Sequence, residues 1–350
     1  MKKFITVIAV LAMFVTLAAC NIQNDKETVL VGVSMPTKTT ERWIREGELM
    51  AELLIEAGYE VDLQFANDRI PDQISQIEKM ITGGAKFLII CPIDGSTIGG
   101  ALAMAKSRDI QVLSYDRLLM DTNDVDYLVG FDSESIGKLM GESLIAGIGA
   151  DGASADDPLY IELFAGSVDD SNTPYYFEGA MEVIRPYIDS GKIIVKSGQT
   201  ELNEVATPAW DGMKAYGRMH SLLSDYYTDD ILAGVLSPYD GISLGIIGAL
   251  KDVGYGTAGR PMPAVTGQDC EMPSLVSIMN NEQYSSIYLD LDLLARYAVD
   301  VARAMLEQTP IQSASAYNNG VKDVPAYLAA ACELTKANFY NYFSDADLVL

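Results

Sequence analysis

Two patterns of apolar residues alternate along most of the chain. Short continuous apolar runs, such as 87–91 and 110–115, are typical of strands that are buried on both faces of a parallel sheet. The longer segment 40–57 carries apolar residues three and four positions apart and stops at Gly58, which indicates an amphipathic helix. Because strand-like and helix-like segments alternate from residue 29 to residue 131, this part of the chain is predicted to be a doubly wound α/β unit.

A second alternating series follows the small, polar and acidic segment 149–158, which is predicted to be a loop. The series runs from a predicted strand at 159–164 to a long predicted helix at 291–306. One more strand is predicted in the tail, near 324–328. The chain is therefore predicted to form two α/β lobes of similar architecture that face each other.

The first 20 residues open with two lysines, continue with a long apolar stretch and end in small residues before Cys20. This pattern predicts a secretory signal peptide over 1–19 rather than a membrane-spanning helix. The ending Leu-Ala-Ala-Cys is similar to a bacterial lipobox, which implies cleavage before Cys20 and a lipid on its thiol. The lipid would anchor the protein to the outer face of the cell membrane, with 20–28 as a tether. An ordinary signal peptide followed by an unrelated cysteine is the alternative.

The part that remains after cleavage is long and acidic. About 330 residues are too many for one typical hydrophobic core, which supports two domains. The whole chain has 24 basic and 49 acidic residues and a formal charge of −25, and removal of the two leader lysines makes it −27. Such a charge argues against a nucleic-acid partner, because attraction to phosphates needs basic patches. It is consistent with a soluble exported protein.

The sequence contains few residues that could bind a metal or carry out redox chemistry. If Cys20 carries a lipid, the remaining cysteines are Cys91, Cys270 and Cys332, and three thiols cannot all pair within one chain. The sequence has no Cys-x-x-Cys motif and a single histidine, His220, which excludes a zinc site of the usual spacing. The three cysteines are predicted to be small buried hydrophobic residues, and no cofactor is expected.

An acid and a base stand side by side where one predicted strand ends. Asp116 and Arg117 directly follow the apolar run 110–115. In an open parallel sheet, ligands bind beyond the carboxyl ends of the strands. A carboxylate accepts hydrogen bonds from sugar hydroxyls, and a guanidinium donates several in a fixed geometry without losing its charge. The pair therefore indicates a polyol site, and a local ion pair without function is the alternative.

Other predicted strand ends also carry acids, amides or aromatic residues, which lie in the segments 36–43, 166–172, 237–240 and 267–269. Sugars need such a mixture, because hydroxyls require donors and acceptors while the C–H faces require aromatic surfaces.

Each of these residues also has a structural alternative. Trp43 could be a core residue, Trp210 could pack at a helix start, and Asp240 and Asn172 could be N-caps. The pair at 169–170 is interpreted as a solvated turn.

Six stretches of the chain together carry a family resemblance: VGVSMPTKTTERW, QIEKMITGGAKFLII, VLSYDR, IELFAGSVDDSN, LSPYDGISLGII and VTGQD. They resemble the substrate-binding lipoproteins of sugar ABC importers, in particular the multiple-sugar-binding and xylose-binding proteins. The similarity runs in the family's order from about residue 29 to about residue 328. No single stretch would be specific, but the combination is.

The resemblance implies the type I periplasmic-binding-protein fold, an α/β architecture of two doubly wound parallel-sheet lobes joined by three hinge crossings. It places the crossings near 131–133, 289–290 and 316–320. The expected N-terminal lobe then comprises 29–132 and 290–318, and the expected C-terminal lobe comprises 133–289 and 319–350.

The resemblance also implies a function without catalysis or cofactor. A monomeric protein would clamp an aldopyranose of the xylose, glucose, galactose or arabinose class between its lobes and deliver it to an ABC permease. Presentation of the sugar to a sensor receptor is an alternative that would use the same cleft. The ligand-binding residues carried over from the family are Lys38, Arg42, Trp43, Asp116, Arg117, Asn172, Trp210, Asp240 and Gln268.

The sequence also offers two alternative functions and one alternative class of ligand. A secreted glycosidase could use Asp116 and Asp240, but Arg117 would keep Asp116 ionised and unfit as a proton donor. A LacI-type regulator shares the fold, but the signal peptide and the lack of a helix-turn-helix segment argue against it. Lys38 and the two arginines would give the cleft a basic side, which leaves a sugar acid open as ligand.

Overall fold

The computed structural model describes residues 28–311 and 315–344. The predicted signal peptide at 1–19, the predicted lipid attachment at Cys20 and the tether up to residue 27 lie outside the described residues. In the part of the chain that is described, no helix is both long enough and apolar enough to cross a bilayer.

The described strands are β1 (Leu30–Met35), β2 (Glu60–Phe65), β3 (Phe87–Ile90), β4 (Gln111–Tyr115), β5 (Tyr127–Phe131), β6 (Leu159–Leu163), β7 (Ile193–Val195), β8 (Gly234–Leu236), β9 (Ala264–Val265), β10 (Ser285–Leu289), β11 (Ser315–Asn318), β12 (Asp323–Ala329) and β13 (Ala331–Thr335). The described α-helices are α1 (Glu41–Glu56), α2 (Ile70–Thr82), α3 (Gly99–Lys106), α4 (Ser133–Ile148), α5 (Thr173–Asp189), α6 (Leu202–Val205), α7 (Gly212–Tyr226), α8 (Asp240–Asp252), α9 (Met272–Met279) and α10 (Leu291–Leu306). Short 3-10 turns lie at Ala150–Gly152, Pro208–Trp210 and Phe339–Asn341.

The strands form two main sheets, each with helices on both faces. The first has the order β11-β12-β5-β4-β3-β1-β2 and is parallel except for the edge strand β11. The second is fully parallel, with the order β7-β6-β8-β9. Every residue of β3 and of β5 is buried, as expected for central strands covered on both faces. The predicted type I periplasmic-binding-protein fold is confirmed. We call the seven-stranded sheet with its helices the N lobe, and the four-stranded sheet with its helices and the β10–β13 ladder the C lobe.

The chain passes between the two lobes where strands or helices end. After β5, helix α4 packs against β8 and β9 of the C lobe, and after β10, helix α10 packs on α1 of the N lobe. Strand β12 then pairs in parallel with β5 of the N lobe, and β13 pairs with β10 of the C lobe. The last passage is therefore at 329–331.

The predicted third crossing near 316–320, and with it the lobe boundary at residue 319, is wrong. The expected tail strand exists as β12, but it belongs to the N lobe. The physical reason is burial, because Val324 and Ala326 are fully buried in the N-lobe core beside Leu102 and Leu128. A crossing before this strand would expose those side chains to water.

The three cysteines in the described residues are free thiols. Cys91 and Cys270 are buried, as predicted, whereas Cys332 is half-buried. Cys91 directly follows β3, and burial raises the pKa of its thiol well above the usual range. It therefore behaves as a small hydrophobic side chain.

Helices α4 and α5 lie unusually close together because glycines face the partner helix. A Cβ atom on Gly137 would lie 2.2 Å from the carbonyl oxygen of Tyr176, and one on Gly179 would lie 2.3 Å from that of Glu134. Both obstacles are backbone atoms, which cannot rotate away. The first helix of this pair, α4, directly follows the passage of the chain from β5 into the C lobe.

Gly137→Ala is therefore expected to destabilise the protein by about 1–3 kcal/mol, because the helices must separate. The matched control is Gly217→Ala on α7, where no atom lies within 4 Å of the added Cβ. The control is expected to stabilise by about 0.5–1 kcal/mol, since alanine favours helix. Urea unfolding gives both free energies. Equal effects of the two substitutions would contradict the close approach of α4 and α5.

Candidate functional site

A cavity of about 110 Å³ lies between the two lobes at the carboxyl ends of their strands. The N lobe contributes the segments after β1, β2 and β4, and the C lobe contributes those after β6, β8 and β9 together with the turn at Pro208–Trp210. The lining residues are Thr37, Thr39, Thr40, Arg42, Trp43, Asp68, Asp116, Arg117, Asp170, Asn172, Tyr176, Ala209, Trp210, Tyr239, Gln268 and Asp269. This is where ligands bind in open parallel α/β sheets.

Most of the residues that sequence reasoning selected are brought together here. Those that line the cavity are Arg42, Trp43, Asp116, Arg117, Asn172, Trp210 and Gln268. They come from both lobes, so the cavity is complete only when the lobes face each other as they do here. Two selected residues, Lys38 and Asp240, do not line it.

Lys38 lies in the loop after β1 and does not line the cavity in this structure, so its contact with a ligand stays a prediction. Its ammonium is 4.6 Å from the centroid of the Phe65 ring, and the residue is exposed. A lysine can cover an aromatic face in this way while its charge stays in water. The neighbour Thr37 occupies the inward position instead and is buried.

Asp240 is fully buried in the C lobe and acts as a structural anchor rather than as a lining residue. Its carboxylate accepts hydrogen bonds from the backbone N–H of Glu271 at 2.9 Å, from Gln283 Nε2 at 2.8 Å and from Ser286 Oγ at 3.0 Å. These bonds tie the starts of α8 and α9 to β10. Burial raises the pKa of Asp240 well above its usual range, although the three donors oppose the shift. Its contact with a ligand therefore stays a prediction, and its observed role is structural.

The Arg42 guanidinium is the centre of the cavity wall. Its Nε donates to Glu46 Oε1 at 2.8 Å, its Nη2 to Asp116 Oδ2 at 2.8 Å and its Nη1 to Asp269 Oδ1 at 3.2 Å. The side chain is only 8% exposed. Burial alone would lower the pKa of Arg42, but the three carboxylates more than compensate and raise it, so the cation persists at every relevant pH.

Arg117 forms the second guanidinium contact between the lobes. Its Nε lies 2.6 Å from Asp170 Oδ2 and its Nη1 donates to the carbonyl of Pro92 at 3.3 Å. Both guanidiniums lie against the ring of Trp43, with the carbon of Arg42 at 4.1 Å and that of Arg117 at 5.3 Å from its centroid. Trp43 therefore orients the two cations. The sequence suggests a core residue or a ligand-binding residue at this position, and neither interpretation includes this role.

Glu46 is a buried carboxyl group behind the cavity that sequence reasoning missed. It lies one turn after Arg42 on α1, and the Tyr115 hydroxyl donates to its second oxygen. Burial raises the pKa of Glu46 to about 7, although Arg42 opposes the shift. A signal was present, because Glu46 interrupts the apolar helical face that Trp43 and Met50 share.

Asp170 and Asp269 were also missed as members of the site. The pair at 169–170 was interpreted as a solvated turn, which holds for the exposed Asp169 but not for Asp170, which is 3% exposed. Asp269 follows the selected Gln268, and its side chain is 6% exposed. Burial raises the pKa of each, and the neighbouring arginine partly reverses the shift.

Several cavity residues have left-handed backbone conformations, which are rare outside glycine. The φ angles are 60° at Asp116, 55° at Trp210 and 91° at Asp269. Aspartate tolerates this region better than most residues, but a tryptophan there is strained. Such strain occurs where a side chain must be held in one direction, and it clusters at binding sites.

Trp210 and Gln268 each carry a buried polar atom without a partner among the described residues: the donor Nε1 and the acceptor Oε1. Buried polar atoms are nearly always hydrogen-bonded, so two exceptions in one cavity are informative. The Trp210 ring is seated over Gly166, where a Cβ atom would lie only 2.1 Å from the ring. Both residues line the cavity, so the C lobe brings a donor and an acceptor that have no protein partner to the cavity wall.

The charge of the cavity lining is acidic rather than basic. Two arginines face four aspartates, Asp68, Asp116, Asp170 and Asp269, which gives a formal charge of −2. In the described ranges, no group of three or more histidine, cysteine, aspartate or glutamate side chains is arranged to hold a metal ion. The lining residues supply charged and amide groups for hydrogen bonding.

Glu46→Gln is expected to change the pH dependence of stability. The pKa of Glu46 is about 7 in the folded protein against an ordinary value of 4.5, so over this range the folded state holds a proton that the unfolded chain releases. Stability therefore falls as the pH rises from about 4.5 to about 7, by up to about 3 kcal/mol from this group. Glutamine is neutral throughout and should remove that part of the slope.

Urea unfolding at pH 5 and at pH 7.5 measures this slope for the wild type and the variant. Glu48→Gln, an exposed position on the same helix, is the control and should keep the wild-type slope. If Glu46→Gln also keeps the wild-type slope, Glu46 does not bind the extra proton.

Comparison with known proteins agrees with the fold. Residues 31–310 match the family model described as a periplasmic binding protein domain. The chain is 45% identical over 342 residues to the multiple sugar-binding periplasmic receptor ChvE of Rhizobium radiobacter, covering 97% of this chain and 96% of that protein.

Two solved structures of ABC transporter or carbohydrate transporter solute binding proteins are also similar. The one from Clostridium phytofermentans, with bound β-D-glucose, has a TM-score of 0.85 and 36% identity, and covers 91% of this chain and 100% of its own. The one from Chloroflexus aurantiacus, in complex with D-glucose, has a TM-score of 0.81 and 30% identity, with coverages of 92% and 97%. The chain belongs to the periplasmic binding protein family, with the type I fold.

Proposed function

We propose that this protein binds a monosaccharide in the cavity between its lobes and delivers it to an ABC import permease. The observation that carries the proposal is that two residues of the cavity wall, Trp210 and Gln268, hold buried polar atoms without a partner in a lining that is otherwise rich in charged hydrogen-bonding groups. A relative at 45% identity is named a multiple sugar-binding receptor, and two similar structures contain glucose. These names support a sugar as ligand and a receptor rather than an enzyme.

The expected affinity follows from the number of charged hydrogen bonds. Micromolar binding corresponds to about −8 kcal/mol. Hydrogen bonds to charged groups contribute about 1.5–3 kcal/mol each, so three or four of them suffice after the entropic cost of association. Arg42, Asp116 and Asp269 are buried and joined by ion pairs that fix their positions in the closed arrangement, which lowers that cost.

The preferred ligand class is a neutral aldopyranose, such as xylose, glucose, galactose or arabinose. The lining has a formal charge of −2, and each arginine already has a carboxylate partner. A sugar acid, which the sequence had left open, would therefore meet repulsion. The small volume of the cavity favours one sugar ring over an oligosaccharide.

A glycosidase is disfavoured by the position of its two candidate carboxylates. Asp240 is buried away from the cavity, and Asp116 is bound to Arg42 and Asn172. An acid–base pair that flanks a scissile bond is thus not formed by these two residues. Turnover of nitrophenyl glycosides by the pure protein would be evidence for the enzyme instead.

The proposal includes export and attachment at the membrane. The N-terminal pattern supports a signal peptide at 1–19 and a lipid on Cys20, which would hold a monomeric receptor near its permease. Presentation of the bound sugar to a sensor receptor would use the same closed form and is the second candidate. Mass spectrometry of the membrane-extracted protein tests the lipid, which should appear on an N-terminal Cys20.

Asp116→Asn is expected to weaken sugar binding by at least about tenfold while the fold is kept. Asparagine tolerates the left-handed φ of 60° at this position, whereas alanine would add backbone strain. The change removes the negative charge that orients Arg42 and accepts from a sugar hydroxyl, a loss of about 1.4 kcal/mol or more. Isothermal titration with glucose measures the affinity, and thermal unfolding checks the fold. Unchanged affinity in the folded variant would refute the assignment of this cavity.

Gly166→Ala is expected to weaken sugar binding through Trp210. The added Cβ would lie 2.1 Å from the indole ring, which must leave its position and take its Nε1 donor with it. The control is Gly152→Ala, also in the C lobe, where no atom lies within 4 Å of the new Cβ. Titration should show a loss of about tenfold for Gly166→Ala and none for the control. Equal affinities would mean that Trp210 does not contact the ligand.

A further inference from the structure

Two segments of three consecutive residues, one from each lobe, contact each other beside the cavity. Residues 116–118 follow β4 of the N lobe, and residues 170–172 precede α5 of the C lobe. We call these six residues the clasp. Their contacts join protein groups only, so they can form whether or not a ligand is bound.

Each residue of one segment contacts a residue of the other. Arg117 Nε lies 2.6 Å from Asp170 Oδ2, and the backbone N–H of Leu118 donates to Ser171 Oγ at 3.0 Å. Asn172 Nδ2 donates to the carbonyl oxygen of Asp116 at 3.3 Å. Two of these three contacts use backbone atoms, so they report the distance between the lobes rather than the rotamers of long side chains.

The ion pair of the clasp is buried, which separates it from ordinary surface pairs. The Arg117 side chain is 12% exposed and that of Asp170 is 4% exposed. Exposed pairs contribute little because water and salt screen them, whereas buried pairs are screened much less. If the lobes separate, both charges must be solvated again, and the attraction between them is lost.

Both partners are also held in place from within their own lobes. Asp170 Oδ1 accepts from the backbone N–H of Asn172 at 2.9 Å. Arg117 is fixed by the carbonyl of Pro92 at 3.3 Å and by the ring of Trp43. Because neither side chain has to be ordered when the lobes meet, little conformational entropy is lost on closure.

We propose that the clasp stabilises the closed arrangement of the lobes by itself, so that a measurable fraction of molecules is closed without sugar. Asp170 is then a positioning residue that raises the affinity for every ligand by one common factor. Binding to a closed form that is populated only in part is weakened in proportion to that population. The common factor rests on the proposed sugar-binding function, but the closure itself does not.

The experiment measures the distance between the lobes by single-molecule energy transfer on the chain from Asn21, without any sugar. Dyes are placed on Glu78→Cys in the N lobe and Ser221→Cys in the C lobe, both exposed positions, with Cys332→Ser to avoid extra labelling. The wild type is compared with Asp170→Asn and with Ser171→Ala, which removes the acceptor of Leu118. Asp169→Asn, an exposed neighbour, is the control.

The clasp predicts a closed population in the wild type and in the control, and a clear loss of it in Asp170→Asn and Ser171→Ala. It also predicts that Asp170→Asn weakens glucose and xylose binding by the same factor, about tenfold. The proposal is overturned if the wild type has no closed population, or if both variants keep it. If the closed population falls but no sugar binds, the clasp stands and the proposed function fails.

Discussion

A buried guanidinium, that of Arg42, is the group on which the site depends. Its charge is permanent, and such a charge is costly to remove from water unless carboxylates surround it. Three acids meet this requirement: Glu46 from the same helix, Asp116 from a strand end of the N lobe and Asp269 from the C lobe. Because one of the three comes from the opposite lobe, the same interaction that neutralises the charge also specifies how the lobes face each other.

The fold explains why these groups can meet. Each parallel sheet presents the carboxyl ends of its strands on one edge, and the two edges face each other across the gap. Loops at these ends are short and strained, with left-handed residues at Asp116, Trp210 and Asp269. The strain fixes the directions of the side chains in advance, which is what a site for a small polar ligand requires. Ligand binding and lobe closure are thus two results of one set of contacts.

The alternation of apolar patterns was sufficient to predict two α/β lobes, whereas the type I fold was implied by the family resemblance. The strand-end rule was sufficient to find most of the cavity. What failed depended on contacts between distant parts of the chain. The buried roles of Asp170 and Asp269 follow from arginines in the other lobe, which no local pattern reveals. The third crossing was misplaced because β12 pairs with β5 far away in the sequence.

At two further positions the structure differs from the expectation in where the side chain lies, not in which segment carries the residue. Lys38 lies in the predicted loop but covers Phe65, and Asp240 lies at the predicted strand end but points into the core. Sequence spacing places a residue on an element, whereas rotamers and local hydrogen bonds decide where its charge goes. Glu46 differs from both, because a charged residue on an otherwise apolar helical face indicates that its charge has a buried partner.

The central claim is that the cavity between the lobes binds a single sugar ring. The most direct measurement is isothermal titration of the chain from Asn21 with xylose, arabinose, glucose, galactose, ribose and glucuronate. The account predicts one-to-one binding in the micromolar range for at least one neutral aldopyranose, and much weaker binding of glucuronate. No binding to any of these sugars, by protein shown to be folded, would contradict it.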